Sequence, residues 1–292
     1  MGRVNKGGRL TKELLQDVIG EPSVVEAKSF SWTIIESGHG TIRAKGHSTK
    51  YRWGTLAKFQ PGAVVSIVDA KTRRLVEKPE PNLATASSLF VYFPDEEVIA
   101  FKHVWNEITA WDFQRRFSEI VKDSLQRFFV ECDIILISDE RAFVRRIAEL
   151  VTVEEIKATV APPNPLFGPL WKPLRDFLRH RRAATLRLKE EAVKGQSLNS
   201  ALPELAKEAL RKESAPKSPS IPLDIPDAAA LLATDGYGNA QITGTAKGGQ
   251  VVIKTSDRVE RLKIDADATP AEVAGQVHSR IQIMNKKRGL RH

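Results

Sequence analysis

Two tripeptides, Glu26-Ala-Lys28 and Glu155-Ile-Lys157, carry the Glu-x-Lys spacing of metal-dependent nucleases, and each has an aspartate upstream, Asp17 or Asp139. Convergent carboxylates of that kind hold a divalent cation that polarises a phosphoryl oxygen and activates water. A chain this rich in charge produces about one or two such tripeptides at random, so the spacing alone does not select an enzyme. His39 and His47 lie in glycine-rich sequence without a third ligand, which suits exposed turn histidines better than a metal site. The single cysteine, Cys132, falls inside the apolar run FFVECDIILIS and reads as a small buried side chain. Asp265-Ala-Asp267 precedes a helix start, where acidic residues are favoured without any cation. The expectation is no catalytic residue, no metal and no cofactor.

Positive charge in rows is what the chain offers instead. Lysine and arginine number 45 against 36 acidic residues, a formal charge of +9, which favours a polyanionic partner. Between Lys172 and Lys194 the cations are Lys172, Arg175, Arg179, Arg181, Arg182, Arg187, Lys189 and Lys194, against Asp176, Glu190 and Glu191. Like charges three and four apart on a helix repel by a few tenths of a kcal/mol per pair, and a row of phosphates would relieve that repulsion. Two further clusters, Arg3, Lys6 and Arg9 near one end and Lys286, Lys287, Arg288 and Arg291 near the other, join the candidate nucleic-acid contacts. The competing reading is a solvated or internally paired face, or frayed tails.

The elements that must position these residues follow from periodicity. With 292 residues and 41% apolar content the chain can bury a core, and its length suits about two domains. No apolar run reaches the ~18 residues of a membrane span and no signal core follows the first residues, so a cytoplasmic protein without membrane insertion is expected. LTKELLQDVIG reads as a short helix, and Ser37-Gly38-His39-Gly40 as a glycine turn between two strands. AVVSIVDA, SLFVYFP and VIAFKHV are further strands. AWDFQRRFSEIVKD then reads as a helix burying Trp111, Phe113, Phe117, Ile120 and Val121, and FFVECDIILIS as a strand. ERAFVRRIAEL is a helix and TVEEIKATVAP a strand. Leu170, Leu174, Phe177, Leu178, Ala184 and Leu188 predict one long helix that carries the basic row and ends at Gly195. The fold class is α+β: a mixed-sheet domain over 1–166 with ferredoxin-like helix and strand order, a basic helical segment with a Pro/Ser-rich linker over 167–226, and a small αβββα domain over 227–292 whose last helix starts at the capping box Thr269-Pro270-Ala271-Glu272.

Three family comparisons attach to these residues. Arg175 and His180 satisfy the Arg, four-residue gap, His pattern of the HEPN ribonucleases, in which such a pair acts on the RNA 2′-hydroxyl and phosphate; that family is wholly helical. The helix, three-strand, helix order after residue 227 is similar to that of double-stranded-RNA-binding domains, although here Lys286-Lys287-Arg288 comes at the end of the final helix rather than its start. SLFVYFPDEEVIAFKHVWNEIT, the basic middle region, ATDGYGNAQITGTAKGGQVVI and the basic-ended last helix, taken in order over 85–292, resemble RexA-type phage-exclusion proteins and related bacterial defence proteins. That resemblance implies a cytoplasmic DNA-binding sensor, often a homodimer, acting with a separate effector protein. The expected function is therefore a noncatalytic nucleic-acid-binding component of an antiphage system, with double-stranded DNA as partner. The alternatives are a metal-dependent or HEPN-like nuclease and a scaffold docking an acidic protein.

Overall fold

A computed structural model describes residues 1–44, 47–126, 129–161, 172–211 and 223–287. It is α+β. The chain forms two compact units, one from residues 4–134 with 266–275, the other from 1–3 with 135–265 and 276–292.

The strand-rich first hundred residues build the sheet of the first unit. Its strands are β1 (Gly2–Gly8), β2 (Val25–Ala27), β3 (Phe30–Ala44), β4 (His47–Asp69), β5 (Arg74–Phe93), β6 (Val98–Phe101) and β7 (Val130–Leu136), in the order β2-β3-β4-β5-β6-β1-β7. Helix α1 (Lys12–Gly20) starts where the Thr11 hydroxyl accepts the Leu14 N–H, and α2 (Ala110–Ser124) opens with a capping box between Thr109 and Asp112. Leu15, Val18 and Ile19 of α1 and Phe113, Phe117, Ile120 and Val121 of α2 share one core with Trp32, Leu56, Phe90 and Tyr92 of the sheet. Phe90 meets Phe113 and Phe117 edge-on at centroid distances of 5.8 and 5.5 Å, the arrangement ring quadrupoles favour. Trp111 does not join them. It lies about 200° around the helix from Phe113, is 60% exposed, and carries the Arg115 guanidinium over its ring. Cys132 of β7 is fully buried, and burial pushes its thiol up to about 12.

Two expectations for this unit are corrected. The segment 1–9 is no tail, because β1 lies between β6 and β7 and the Val4 N–H donates to the Glu97 carbonyl. Residues 37–40 are no turn, because β3 and β4 stay paired from Ser31↔Phe59 out to Ala44↔His47. The glycines there make room for rings: Gly38 faces Trp53 and Gly40 faces Tyr51, and a Cβ at Gly40 would stand 2.3 Å from the Tyr51 hydroxyl oxygen. His39 is thus a strand residue, with Arg52 Nη1 3.5 Å from its Nδ1.

The second unit is built on a four-stranded sheet of β8 (Leu150–Val160), β9 (Leu186–Glu191), β10 (Gly238–Ala246) and β11 (Gly249–Lys254), in the order β11-β10-β8-β9. Helices α3 (Glu140–Ala148), α4 (Lys172–Arg181), α5 (Leu202–Arg211) and α6 (Ile225–Leu232) contribute Phe143, Ile147, Leu174, Leu178, Leu202, Ala206 and Ala228–Ala230 to one core with Ile156, Ala158, Ile242 and Ile253 of the strands. Helix α7 (Pro270–Lys287) begins at the expected capping box, where the Thr269 hydroxyl accepts the Glu272 N–H and Glu272 accepts from Thr269.

Here too the structure departs from expectation. The long helix is two elements. After Arg181 the backbone turns through a positive φ at Arg182, the Ala183 N–H closes on the Leu178 carbonyl, and the chain returns as β9 against β8. Among the described residues two strands follow α6, and residues 258–264 contribute a single bridge, Val259↔Ser138. Neither the ferredoxin-like order nor a separate αβββα domain forms: β7 and β8 lie in different sheets, and β10 pairs β8 from Gly238↔Val160 to Ala246↔Leu150. The residues after 227 complete a sheet begun at 150. Most of the Pro/Ser-rich stretch, 212–222, lies outside the described residues.

One buried acid ties two helices of this unit together. Asp227 of α6 accepts the Ser200 hydroxyl and the Ala201 N–H, each at 2.8 Å, at the start of α5. Burial outweighs both bonds and raises its carboxyl above the usual range. A raised folded value means the stabilising contribution is full below the unfolded value near 3.9 and fades as pH rises through the folded one. Asp227→Asn, which keeps an acceptor for Ala201, should therefore match or exceed the parent in urea at pH 7 and lose that standing near pH 4. A loss above about 1 kcal/mol at pH 7 would show that the charge itself is needed.

Candidate nucleic-acid interface

The basic row of 172–194 is split by the break at Arg182. On α4, Leu174 and Leu178 are buried and Phe177 packs against the core, which turns Lys172, Arg179 and Arg181 to solvent with Arg175 half-buried beside them. Arg175 and Arg179 stand one turn apart, and exposed Arg182 follows the last turn, its N–H on the Arg179 carbonyl. Arg181 lies over the Phe177 ring at 5.7 Å. Arg175 pairs with Asp176 at 3.2 Å; among the described residues no ion pair engages Lys172, Arg179, Arg181 or Arg182.

On β9, Leu186 and Leu188 pack on the core, so Arg187, Lys189 and Glu191 face the opposite, open side of the sheet. The register aligns Lys189 with Lys157 of β8 and Lys157 with Gln241 of β10, and Lys254 of β11 completes that row. Sequence reading missed Lys157 and Lys254 as members of this face. Each strand shows the alternation, but only the register brings them level. The face neutralises itself: Glu155 accepts from Lys157 at 2.8 Å and Lys189 at 3.2 Å, and Lys189 also holds Glu191 at 2.5 Å. The hydrogen bond from Lys157, against partial desolvation and with that from Lys189, holds the Glu155 carboxyl below its ordinary value. Lys194 borders a groove of about 1010 Å³ lined by Glu154, Glu155, Glu191, Thr243 and Thr245, where carboxylates oppose a phosphate. Lys189 and Lys194 therefore belong to an acidic neighbourhood, whereas Arg187 makes no ion pair among the described residues.

The remaining candidates disperse. Arg3 is 5% exposed, donates Nε to the Asp235 carbonyl at 3.0 Å and stacks over Tyr237 at 4.1 Å. Lys6 is paired with Glu97 and largely buried. Neither is open to a phosphate, because β1 is an inner strand. Arg9 is exposed just beyond β1. Lys286 is exposed on α7; the Lys287 side chain, Arg288 and Arg291 lie outside the described residues.

The Glu-x-Lys tripeptides and their upstream aspartates are not gathered as a cation site among the described residues. Glu26 is on β2, but Lys28 sits at a φ of 58° in the turn before β3 rather than in a strand. Asp139 is spent capping α3, accepting the Ala142 N–H at 3.0 Å. Arg175 and His180 both lie on α4, with His180 exposed and Arg175 paired with Asp176. Among the described residues, no three His, Cys, Asp or Glu side chains gather as a metal site, and no helix is long and apolar enough to cross a membrane.

A family model described as Domain of unknown function (DUF4747) matches residues 64–214, just over half of the chain, and includes α4 and β9. No curated protein and no solved structure matches the chain.

Proposed function

The chain belongs to the DUF4747 family, and from the residues of α4 we propose that it is a noncatalytic nucleic-acid-binding protein that grips the phosphates of double-stranded DNA with that helix. One observation carries the reading: the solvent face of α4 and the residue after it present Lys172, Arg175, Arg179, Arg181 and Arg182 against one acid, Asp176. Four of the five make no ion pair among the described residues; such cations at helical spacing repel one another, and phosphates in a row remove that cost. The resemblance to phage-exclusion proteins extends the proposal to its setting, an antiphage sensor that signals to a separate effector.

Salt tests it. With about five cations on phosphates, log affinity for a labelled duplex should fall against log salt with a slope of about −4.5, a loss of about 500-fold between 50 and 200 mM. Parallel titrations with RNA and single strands, with and without magnesium, are expected to show weaker binding and no cleavage. A flat salt response, or cleavage of any of these nucleic acids, overturns the proposal.

A further inference from the structure

The strands β4 and β5 run on together far past their neighbours. Pairing of β3 with β4 stops at Ser31↔Phe59 and pairing of β6 with β5 stops at Phe90↔Phe101, while β4 and β5 remain paired out to Asp69↔Arg74. Beyond Phe59 they form a two-stranded ribbon about 30 Å long, with no third strand beside it among the described residues. Both faces are apolar near the tip. Val68 and Leu75, opposite each other, are 70% and 72% exposed, and Ile67 and Val76 share the other face, also exposed. An isolated two-stranded ribbon is marginal in water, so these side chains and the free backbone edges call for a further strand.

The two edges of the ribbon differ. Along β5, Glu77, Lys78, Pro79, Glu80 and Pro81 guard the edge with charges and with prolines that cannot donate, and Lys78 is bonded to Glu80 at 2.6 Å. Along β4, residues 62–68 read Gly-Ala-Val-Val-Ser-Ile-Val without a charge or a proline. The other sheet edges carry charges or are short: β9 carries Arg187, Lys189, Glu190 and Glu191, β7 carries Glu131 and Asp133, β2 is three residues long, β3 beyond its pairing with β2 carries Glu36 and Arg43, and on β11 the Val252 carbonyl is taken by Arg146 at 2.9 Å.

We propose that the β4 edge over 62–68 pairs antiparallel with the same edge of a second copy of this chain, making a two-fold dimer through a continuous β5-β4-β4-β5 sheet. An uncharged edge fits another uncharged edge, and the same patch on both partners is what a closed two-fold needs. Opposing Ser66 to Ser66 sets Val64 against the second copy's Val68 and Val65 against its Ile67, β-branched pairs with no like charges facing. Nucleic acid fits the ribbon less well, since Lys71, Arg73, Arg74 and Lys78 are nearly balanced by Asp69, Glu77 and Glu80. The dimer does not depend on the α4 reading.

Sedimentation of the full chain at tens of micromolar should give twice the 32.5 kDa chain mass. V64K/V68K, which sets lysine against lysine, should raise the dimer dissociation constant at least about tenfold with unchanged circular dichroism. Should that variant fail to fold, Ser66→Cys carries the test. Cys132 is fully buried, so air oxidation should link Ser66→Cys chains in pairs, and Ala70→Cys, far from the two-fold, should stay unlinked. A monomeric parent, a dimer that survives V64K/V68K, or cross-linking at position 70 but not 66 overturns the proposal. So does a monomeric parent whose affinity for duplex DNA drops on V64K/V68K, which would assign the ribbon to nucleic acid.

Discussion

Replacing Arg175, Arg179 and Arg182 together by glutamate is expected to abolish duplex binding while leaving the protein folded. Half-buried Arg175, exposed Arg179 and exposed Arg182 just after the helix are the centre of the cationic face, and among the described residues the ion pair from Arg175 to Asp176 is the one bridge they make. Reversing them replaces three attractive phosphate contacts with three repulsive ones, for a loss of about 10²–10³-fold at low salt and a salt slope shallower by about 3. The fold should tolerate this. Exposed substitutions move stability by under about 0.5 kcal/mol each, with a few tenths added because acids at a helix C-terminus oppose its dipole. Fluorescence anisotropy and thermal unfolding measured side by side decide the matter. Unfolding or insolubility of the triple variant would mean that the face supports the protein rather than a ligand, and an unchanged affinity would remove α4 from the interface.

A second large effect is expected at Gly238, where β10 enters the four-stranded sheet. A Cβ there would stand 2.0 Å from the Thr159 carbonyl oxygen and 2.7 Å from the Val160 Cα. Both are backbone atoms of β8, so no rotamer change gives room and the two strands must part. Overpacking a side chain typically costs 1–3 kcal/mol; separating paired strands exceeds that, and Gly238→Ala should lose about 3 kcal/mol or more. Gly248→Ala, in the turn between β10 and β11 with no neighbour within 4 Å, should stay within about 0.5 kcal/mol of the parent. Urea midpoints of the two variants check this directly. Equal midpoints would mean that the close approach of β10 to β8 is not what the unit rests on.

These two positions show why one part of the molecule was readable from sequence and another was not. Helices α2 and α3 announce themselves through apolar residues at helical spacing with an oxygen-bearing cap in front, information held within a dozen neighbouring residues. The stretch 172–191 misled because Leu174, Phe177, Leu178, Ala184 and Leu188 satisfy the helical period across a boundary. The alternation of Leu186, Arg187, Leu188 and Lys189 is equally a strand, and what decides is the free edge of β8. Gly38 and Gly40 read as a turn because glycine supplies turns; nothing nearby says that Trp53 and Tyr51 need their space. Of the candidate contacts, the α4 cations were visible from spacing. The burial of Arg3 and Lys6 was not, since β1 becomes an inner strand only through β6 and β7.

The pairing of β10 with β8 also sets a clock for synthesis. Roughly eighty residues separate Val160 from its partner Gly238, and at about 5–20 residues per second the ribosome needs about 4–16 s to make them. During that time β8, with Val153, Ile156, Ala158 and Val160 on its core side, has β9 to pair with on one edge and nothing on the other. The region matched by the family model, 64–214, stops before β10 begins. A nascent chain that has reached residue 214 therefore carries β8 with one edge unpaired and its apolar core face short of the β10 side chains, and how long it stays so rests on how quickly the remaining residues follow.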